Sequence, residues 1–484
     1  MKLLCLRQIL GAILLIILIS GCDVELGDPQ VSTDAVPIVE GTYPVPTETS
    51  IPTDQPPPSY PLAEISFIVL VPADSPPDQA VYLSVLDEVT GLALNAQFHQ
   101  MEIDDSSTIG DSRAYRITLP FTAGSILKYR YARQTESIVV AEHTPDGEPV
   151  RYRLLNVNSP GEVVDLVSRW TDTSSEHPSG RLVGRVIDKD TKQPIPNMLI
   201  TAGGVQVNSD SDGVFLIEGL RPGVHNLVIY STDGSFGTFQ QGARIEADLP
   251  TLAPVELTSR SMVDVTFIVR LPDDTPPVIP IRLAGNLSQL GNSFSTLSGG
   301  ISSVASEMPV LQPLPDGRFS TTLTLPSGAD IHYKYTLGDG FWNAEHNQEG
   351  EFRLRNLIVP ADDFILEETV ETWNSSQESS ITFDVQVPQN TPAGDYVSIQ
   401  FNPLFGWTEP IPMWALGENR WAYVLLSPLN LPGNVSYRYC RNDQCGTADD
   451  IATPGVYGSG RSINMGELPL FYNDKVEAWI DIGQ

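Results

Sequence analysis

Three stretches decide the fold: Ile65-Ser-Phe-Ile-Val-Leu-Val-Pro72-Ala-Asp-Ser-Pro76, Val265-Thr-Phe-Ile-Val-Arg-Leu-Pro272-Asp-Asp-Thr-Pro276 and Ile381-Thr-Phe-Asp-Val-Gln-Val-Pro388-Gln-Asn-Thr-Pro392. Each is a run of β-branched and aromatic residues stopped by a proline-bounded turn, which is a strand pattern. Working outward from each, the same marks recur in the same order. A Tyr-basic-Tyr strand follows, at Tyr129-Arg130-Tyr131, Tyr333-Lys334-Tyr335 and Tyr437-Arg438-Tyr439. An acidic residue comes about ten positions on, at Glu142, Glu345 and Asp449, then Arg-x-x-Asn at Arg153/Asn156, Arg353/Asn356 and Arg461/Asn464. Each unit closes with a strand carrying one tryptophan, Trp170, Trp373 or Trp479. Ordered self-similarity of this kind marks a repeated structural unit. Short strands, frequent Gly, Pro and Asp turns and no long helical periodicity predict an all-β protein of tandem sandwiches. The repeats are expected over residues 63–172, 263–375 and 379–484, each just large enough for its own core.

Between the first and second repeats, residues 181–259 read differently. They run Gly184-Arg-Val-Ile-Asp188, Gln193-Pro-Ile-Pro-Asn197, Ser209-Asp-Ser-Asp-Gly213-Val-Phe215 and Gly219-Leu-Arg-Pro-Gly223-Val-His225. This pattern resembles the carboxypeptidase regulatory-like (transthyretin-like) domain, which implies a seven-stranded structural module without catalytic residues. Asn208 to Gly213 also has the look of a calcium loop, but lacks the distal glutamate. A hairpin turn built on Asp-Gly is the favoured reading there. The fold class is therefore all-β: tandem immunoglobulin-like and prealbumin-like sandwiches.

The N-terminus sets the compartment. Met1, Lys2 and Arg7 precede an apolar run from Ile9 to Ile19, closed by Ile19-Ser20-Gly21-Cys22. A run this short ending in small residues reads as a signal peptide (residues 1–21) and not as a membrane span. Its last four residues resemble the bacterial lipobox, which implies lipidation of Cys22 and anchoring to the cell membrane, with the modules outside the cytoplasm. Residues 22–62 are rich in Pro, Thr and Ser and end near Pro56-Pro57-Pro58, so they are read as a disordered tether.

The second repeat carries a further likeness. Ala284-Gly-Asn286-Leu287-Ser-Gln-Leu290-Gly291, Asp316-Gly-Arg-Phe319, and Tyr333-Lys-Tyr335-Thr-Leu-Gly338 with Trp342 and Glu345 occur in that order. The order resembles family 20 carbohydrate-binding modules, the starch-binding domains, where two tryptophans form a flat glucan platform. The resemblance implies Trp342 as the second platform residue, with Tyr333, Tyr335, Asn286 and Glu345 beside it. The first platform position is empty or taken by Phe294. The third repeat has Trp407 at the first position, and Trp414 has no repeat-wide duty, so both join the carbohydrate-binding candidates. Trp170, Trp373, Trp421 and Trp479 are read as packing. An indole covering about 40–60 Å² of a sugar face contributes about 1–1.5 kcal/mol, so a single platform binds weakly.

Composition closes other routes. A net charge of −32 argues against nucleic acid and favours neutral ligands. Of four cysteines, Cys5 leaves with the signal peptide and Cys22 takes lipid, so Cys440 and Cys445 remain for a local disulfide. A Cys-x4-Cys zinc half-site is the rival, without a second ligand pair. There is no Gly-x-Ser-x-Gly elbow and no metal spacing among the six histidines, so no enzyme, cofactor or metal is expected. Glu142-His143 and Glu345-His346 are read as structural loops. The favoured function is a surface lipoprotein that holds polysaccharide, α-glucan first, near separate degrading enzymes or importers. The alternatives are a structural or adhesion scaffold, or an accessory part of a glycoside hydrolase system standing alone.

Overall fold

The computed structural model describes residues 59–86, 89, 97–107, 112–134, 139–173, 178–275, 280–292, 294, 295, 297, 307–337, 343–374, 380–402, 407, 410–426, 435–451, 461–463 and 470–482. Cys22, the signal peptide, the tether up to residue 58, Trp342 and Asn464 lie outside them. The described chain is all-β, a tandem of four sandwiches, and none of its helices is long and apolar enough to cross a membrane.

One topology serves all four modules. The opening strand sits inside its sheet, antiparallel to one neighbour and parallel to the module's last long strand. In the first repeat Leu62–Val71 pairs with Arg113–Thr122 and Gly161–Leu166. In the second, Met262–Arg270 pairs with Phe319–Pro326 and Phe364–Thr369. In the third, Ile381–Gln386 pairs with Arg420–Leu425 and Leu470–Lys475. The central module does the same with Gly180–Asp188, Val214–Leu220 and Pro250–Leu257, and its seven strands form sheets of three and four. Alternation explains the packing. Val265, Phe267 and Val269 point into the core and are fully buried, while Asp264 and Arg270 face water.

The Asn208–Gly213 segment is a turn, with Asp210 Oδ1 accepting the N–H groups of Asp212 and Val214. It is not a hairpin. Val205–Asn208 pairs with Leu199–Ala202, whereas Val214–Leu220 belongs to the other sheet, so the turn carries the chain across the sandwich. Gly213 is required there, because its φ is +72° and a Cβ would lie 2.3 Å from the Val186 carbonyl oxygen.

The modules are not beads on a string. The first repeat's opening strand is apolar on both faces, and Ile68 and Leu70 on its outer face are buried with Ala114. Gly223 of the central module approaches so closely that a Cβ would sit 2.9 Å from Leu166 Cδ1. A second seam joins three modules. Leu86, Tyr152 and Leu154 of the first repeat, Leu199, Val228 and Tyr230 of the central module and Phe294 of the second repeat form one buried cluster. The Tyr152 and Phe294 rings lie 5.3 Å apart, and the Arg151 guanidinium is 4.7 Å from the Phe294 centroid. Lys128, 3% exposed, donates to Ser295 Oγ at 2.8 Å and lies over the Tyr152 and Tyr230 rings. The Ile126 N–H donates to Asp330 Oδ2 at 2.8 Å across the same seam. The third repeat joins the second through buried Asn343, whose Nδ2 donates to Tyr423 Oη and the Val424 carbonyl and whose Oδ1 accepts the Leu426 N–H.

Candidate functional site

The motif that repeats in sequence becomes a buried ionic knot. In the first repeat Arg153 reaches Glu142 through Nε and Nη2, Asp165 through Nη1 at 3.1 Å and the Leu166 carbonyl at 2.9 Å. Tyr129 and Tyr131, two apart on one strand and so on one face, both donate their hydroxyls to Asp165 at 2.9 Å. The second repeat matches it: Arg355 holds Glu345, Glu368 and the Thr369 carbonyl, and Tyr333 and Tyr335 donate to Glu368. The third uses Arg461, Asp450, Asp474 and the Lys475 carbonyl, with Tyr437 and Tyr439 on Asp474. In each, the guanidinium also lies 5.2–5.5 Å from the second tyrosine ring. In each repeat the guanidinium bonds two carboxylates and a backbone carbonyl, and paired, hydrogen-bonded charge is the condition under which burial is tolerated.

This corrects the sequence alignment at two positions. Arg355 occupies the place assigned to Arg353, which instead pairs near the surface with Glu371. Asp450 occupies the place assigned to Asp449, which binds Arg438 and the Gly446 N–H. Burial alone would lower Arg355, but Glu345 and Glu368 hold it above the ordinary arginine value. Burial likewise pushes Glu345 up against the pull of Arg355, and pushes both tyrosines well above theirs.

The tryptophans complete the motif differently from the expected closing strand. Trp170 lies on a two-residue strand, Trp479 forms a single β-bridge with Asp450, and Trp373 follows the last long strand in a bend; all three are fully buried. Each indole N–H donates to the hydroxyl of the proline-bounded turn that opens the same repeat: Ser75 at 2.8 Å, Thr275 at 2.9 Å, Thr391 at 2.9 Å. The opening turn and the closing tryptophan are thus one lock, which explains why both recur.

The carbohydrate candidates fare accordingly. Tyr333, Tyr335 and Glu345 are buried in the knot, and no sugar can reach their polar atoms. Asn286 is 2% exposed and spends its amide on the backbone, donating to the Asp330 carbonyl and accepting the His332 N–H. Phe294, at the first platform position, is consumed by the three-module seam. Trp414 packs on the third repeat's core, 5.7 Å from the Tyr423 ring, so it too has a core duty. Trp407 is half-buried, with the Arg438 guanidinium 4.2 Å from its ring centroid. Arg438 is held in turn by Gln400 and Asp449 at 2.6 and 2.8 Å.

Cys440 and Cys445 are joined as a disulfide, with Cα atoms 5.1 Å apart, around a turn in which Asn442 and Asp443 have positive φ. With Asp449 they are the one group among the described residues able to gather three metal-ligating side chains. Bonded to each other, the sulfurs offer no thiolate to a metal. The Glu-His pairs are structural in both repeats. Glu142 and Glu345 belong to the knots, His143 Nδ1 pairs with the Gly147 carbonyl at 2.8 Å and His346 Nδ1 with the Ala344 carbonyl at 3.0 Å.

Two buried histidines give a pH prediction. Burial lowers the pKa of His225 and of His346. The unfolded chain then binds more protons than the folded one below its histidine pKa of ~6.5, so stability is full above that pH and lost as pH falls through it. Urea midpoints measured at pH 7.5 and 5.5 are expected to drop with acidification. The drop should shrink in a His225→Gln, His346→Gln double variant; an unchanged drop would contradict the assignment.

No family model matches this chain, and no curated protein matches it. Solved structures give distant likenesses. The Bacillus anthracis TIE protein is 10% identical, with 86% of this chain and 74% of that chain covered and a TM-score of 0.17. A streptococcal ancillary pilin is 11% identical, covering 63% and 99%, with a TM-score of 0.24. A family 15 glucoamylase from Hypocrea jecorina is 19% identical, covering 24% and 20%, with a TM-score of 0.18. Likenesses this distant assign neither a family nor an activity.

Proposed function

We propose that this chain is an exported, membrane-anchored, non-catalytic scaffold that presents seamed β-sandwiches outside the cytoplasm. The observation that carries the reading is the fate of the repeated motif: its charges, phenols and indoles are all spent inside the modules or in the seams. A motif kept for a ligand leaves polar groups unspent at a surface. Export and anchoring rest on the signal-peptide pattern ending in Cys22, and the Cys440–Cys445 disulfide suits an oxidising compartment. Partners would be proteins or surfaces met by the module faces.

Glycan capture remains the second reading, and Trp407 favours it. Among the described residues its ring lies outside the third repeat's core cluster, and a stacked arginine with a fixed glutamine beside it suits a sugar edge. A pull-down on insoluble starch, with cellulose and chitin as controls, separates the two. The scaffold reading expects no retention above a control protein. Retention on starch that is lost in Trp407→Ala would overturn it in favour of glucan capture.

A further inference from the structure

The outer face of the central module's three-stranded sheet is apolar and open to solvent. Alternation along its middle strand, Gly180–Asp188, turns Leu182 and Val186 into the core and Arg181, Val183 and Arg185 outward. The register sets Leu216 on one side of Val183 and Leu252 on the other, an apolar row across all three strands. Leu216 is 46% exposed and Leu252 75%. In the next outward row Val214 and Pro254 flank Arg185, and both are exposed.

The equivalent faces of the other modules are built differently. In the second repeat the same positions are polar and bonded to one another, Thr266 with Thr322 and Thr324 with Asp264. In the third they hold Thr382 and Asp384, the latter paired with Arg420. The first repeat is apolar there, at Ile68 and Leu70, and both are buried where the central module approaches. The chain's own precedent for an apolar outer face is therefore a covered one, and contiguous exposed apolar surface marks an interaction site.

We infer that a second copy of this chain covers the central module's face, the two sheets packing face to face about a two-fold axis. Charge selects the partner. Arg181 and Arg185 on the middle strand, Glu218 and Glu256 on the outer strands, and Lys192, which pairs with Glu256, nearly cancel on a chain of net charge −32. Two such acidic chains meet here with little local repulsion, whereas a basic partner is drawn to the acidic remainder of the surface. With both signs present, arginines of one copy can face glutamates of the other. Strand addition is disfavoured along the edge strand Pro250–Leu257, which carries Pro250 and Pro254. Three strands about 4.8 Å apart, with eight residues of about 3.3 Å each, outline roughly 350–400 Å² per copy. That is about half the area of a stable interface, so the pair is weak. On copies anchored as proposed above the contact would gather them laterally, but it depends neither on the anchoring nor on the scaffold reading.

Sedimentation equilibrium of the protein tests the pairing. A reversible monomer–dimer equilibrium with a Kd on the order of 100 µM is expected. It should tighten severalfold between about 0.1 and about 0.5 M salt, as the repulsion between two −32 chains is screened. Leu216→Asp and Leu252→Asp change exposed side chains outside the core, and each should weaken the dimer about tenfold or more. Phe471→Asp, at an equally exposed position of the third repeat, should leave it unchanged. A monomer at every concentration and salt, a dimer that salt dissociates, or a dimer that survives both leucine variants would each overturn the inference. A monomer in which Leu216→Cys resists maleimide would assign the face to another part of the chain, and would overturn it as well.

Discussion

Arg355→Ala is expected to destabilise the second repeat by about 3–5 kcal/mol, because it leaves Glu345 buried and uncompensated. Glu345 is fully buried, and its other hydrogen bond comes only from the Tyr335 N–H. Glu368 loses the same cation and keeps two phenols. Arg353→Ala, two residues away, breaks only a partly exposed pair with Glu371, and should cost about 0–1 kcal/mol. Urea denaturation of both variants measures the contrast. A further variant guards against a chain too unstable to measure: Arg355→Met with Glu345→Leu removes both charges and should recover much of the loss. Equal midpoints for Arg355→Ala and Arg353→Ala would return the knot to the sequence alignment and remove the structural account of the motif.

The second large effect lies at the seam. Phe294→Ala opens a cavity among Tyr152, Leu154, Val228 and Tyr230, at a cost of about 3–5 kcal/mol for a buried phenylalanine. The cost falls on the joint and not on any one core, since Phe294 belongs to the seam cluster and not to the second repeat's own core. The variant should therefore uncouple modules without unfolding each of them. Lys128→Met is a milder companion, removing the donor to Ser295 while keeping a long apolar stem against the two tyrosines.

Much of this architecture is legible in the sequence. The strand–turn opening, the Tyr-basic-Tyr strand and the closing tryptophan locate three sandwiches because each has a repeat-wide packing duty. What alignment cannot resolve is a choice between neighbours of one chemistry. Arg353 and Arg355 both fit the pattern, and Asp449 and Asp450 both fit; only the register, which sets Arg355 opposite Tyr333, selects the inward residue. Tyrosine direction is a second limit. Residues two apart share a face, but whether Tyr333 and Tyr335 face the core or a ligand depends on what their hydroxyls meet, and Glu368 is 33 and more residues away. Phe294 shows a third: a seam is formed by three distant segments, and no local pattern announces it. One seam did leave a trace. Ile68 and Leu70 occupy outward positions that hold Asp384 and Gln386 in the third repeat, so the extra apolar residues of the first opening strand mark a face covered by a neighbour.

Calorimetry tests the scaffold's central physical claim, that the modules are fused and not strung. The first repeat, central module and second repeat are expected to melt in a single transition whose van't Hoff and calorimetric enthalpies agree, with Phe294→Ala splitting that transition. Independent melting of each module in the parent protein, unaffected by Phe294→Ala, would contradict it.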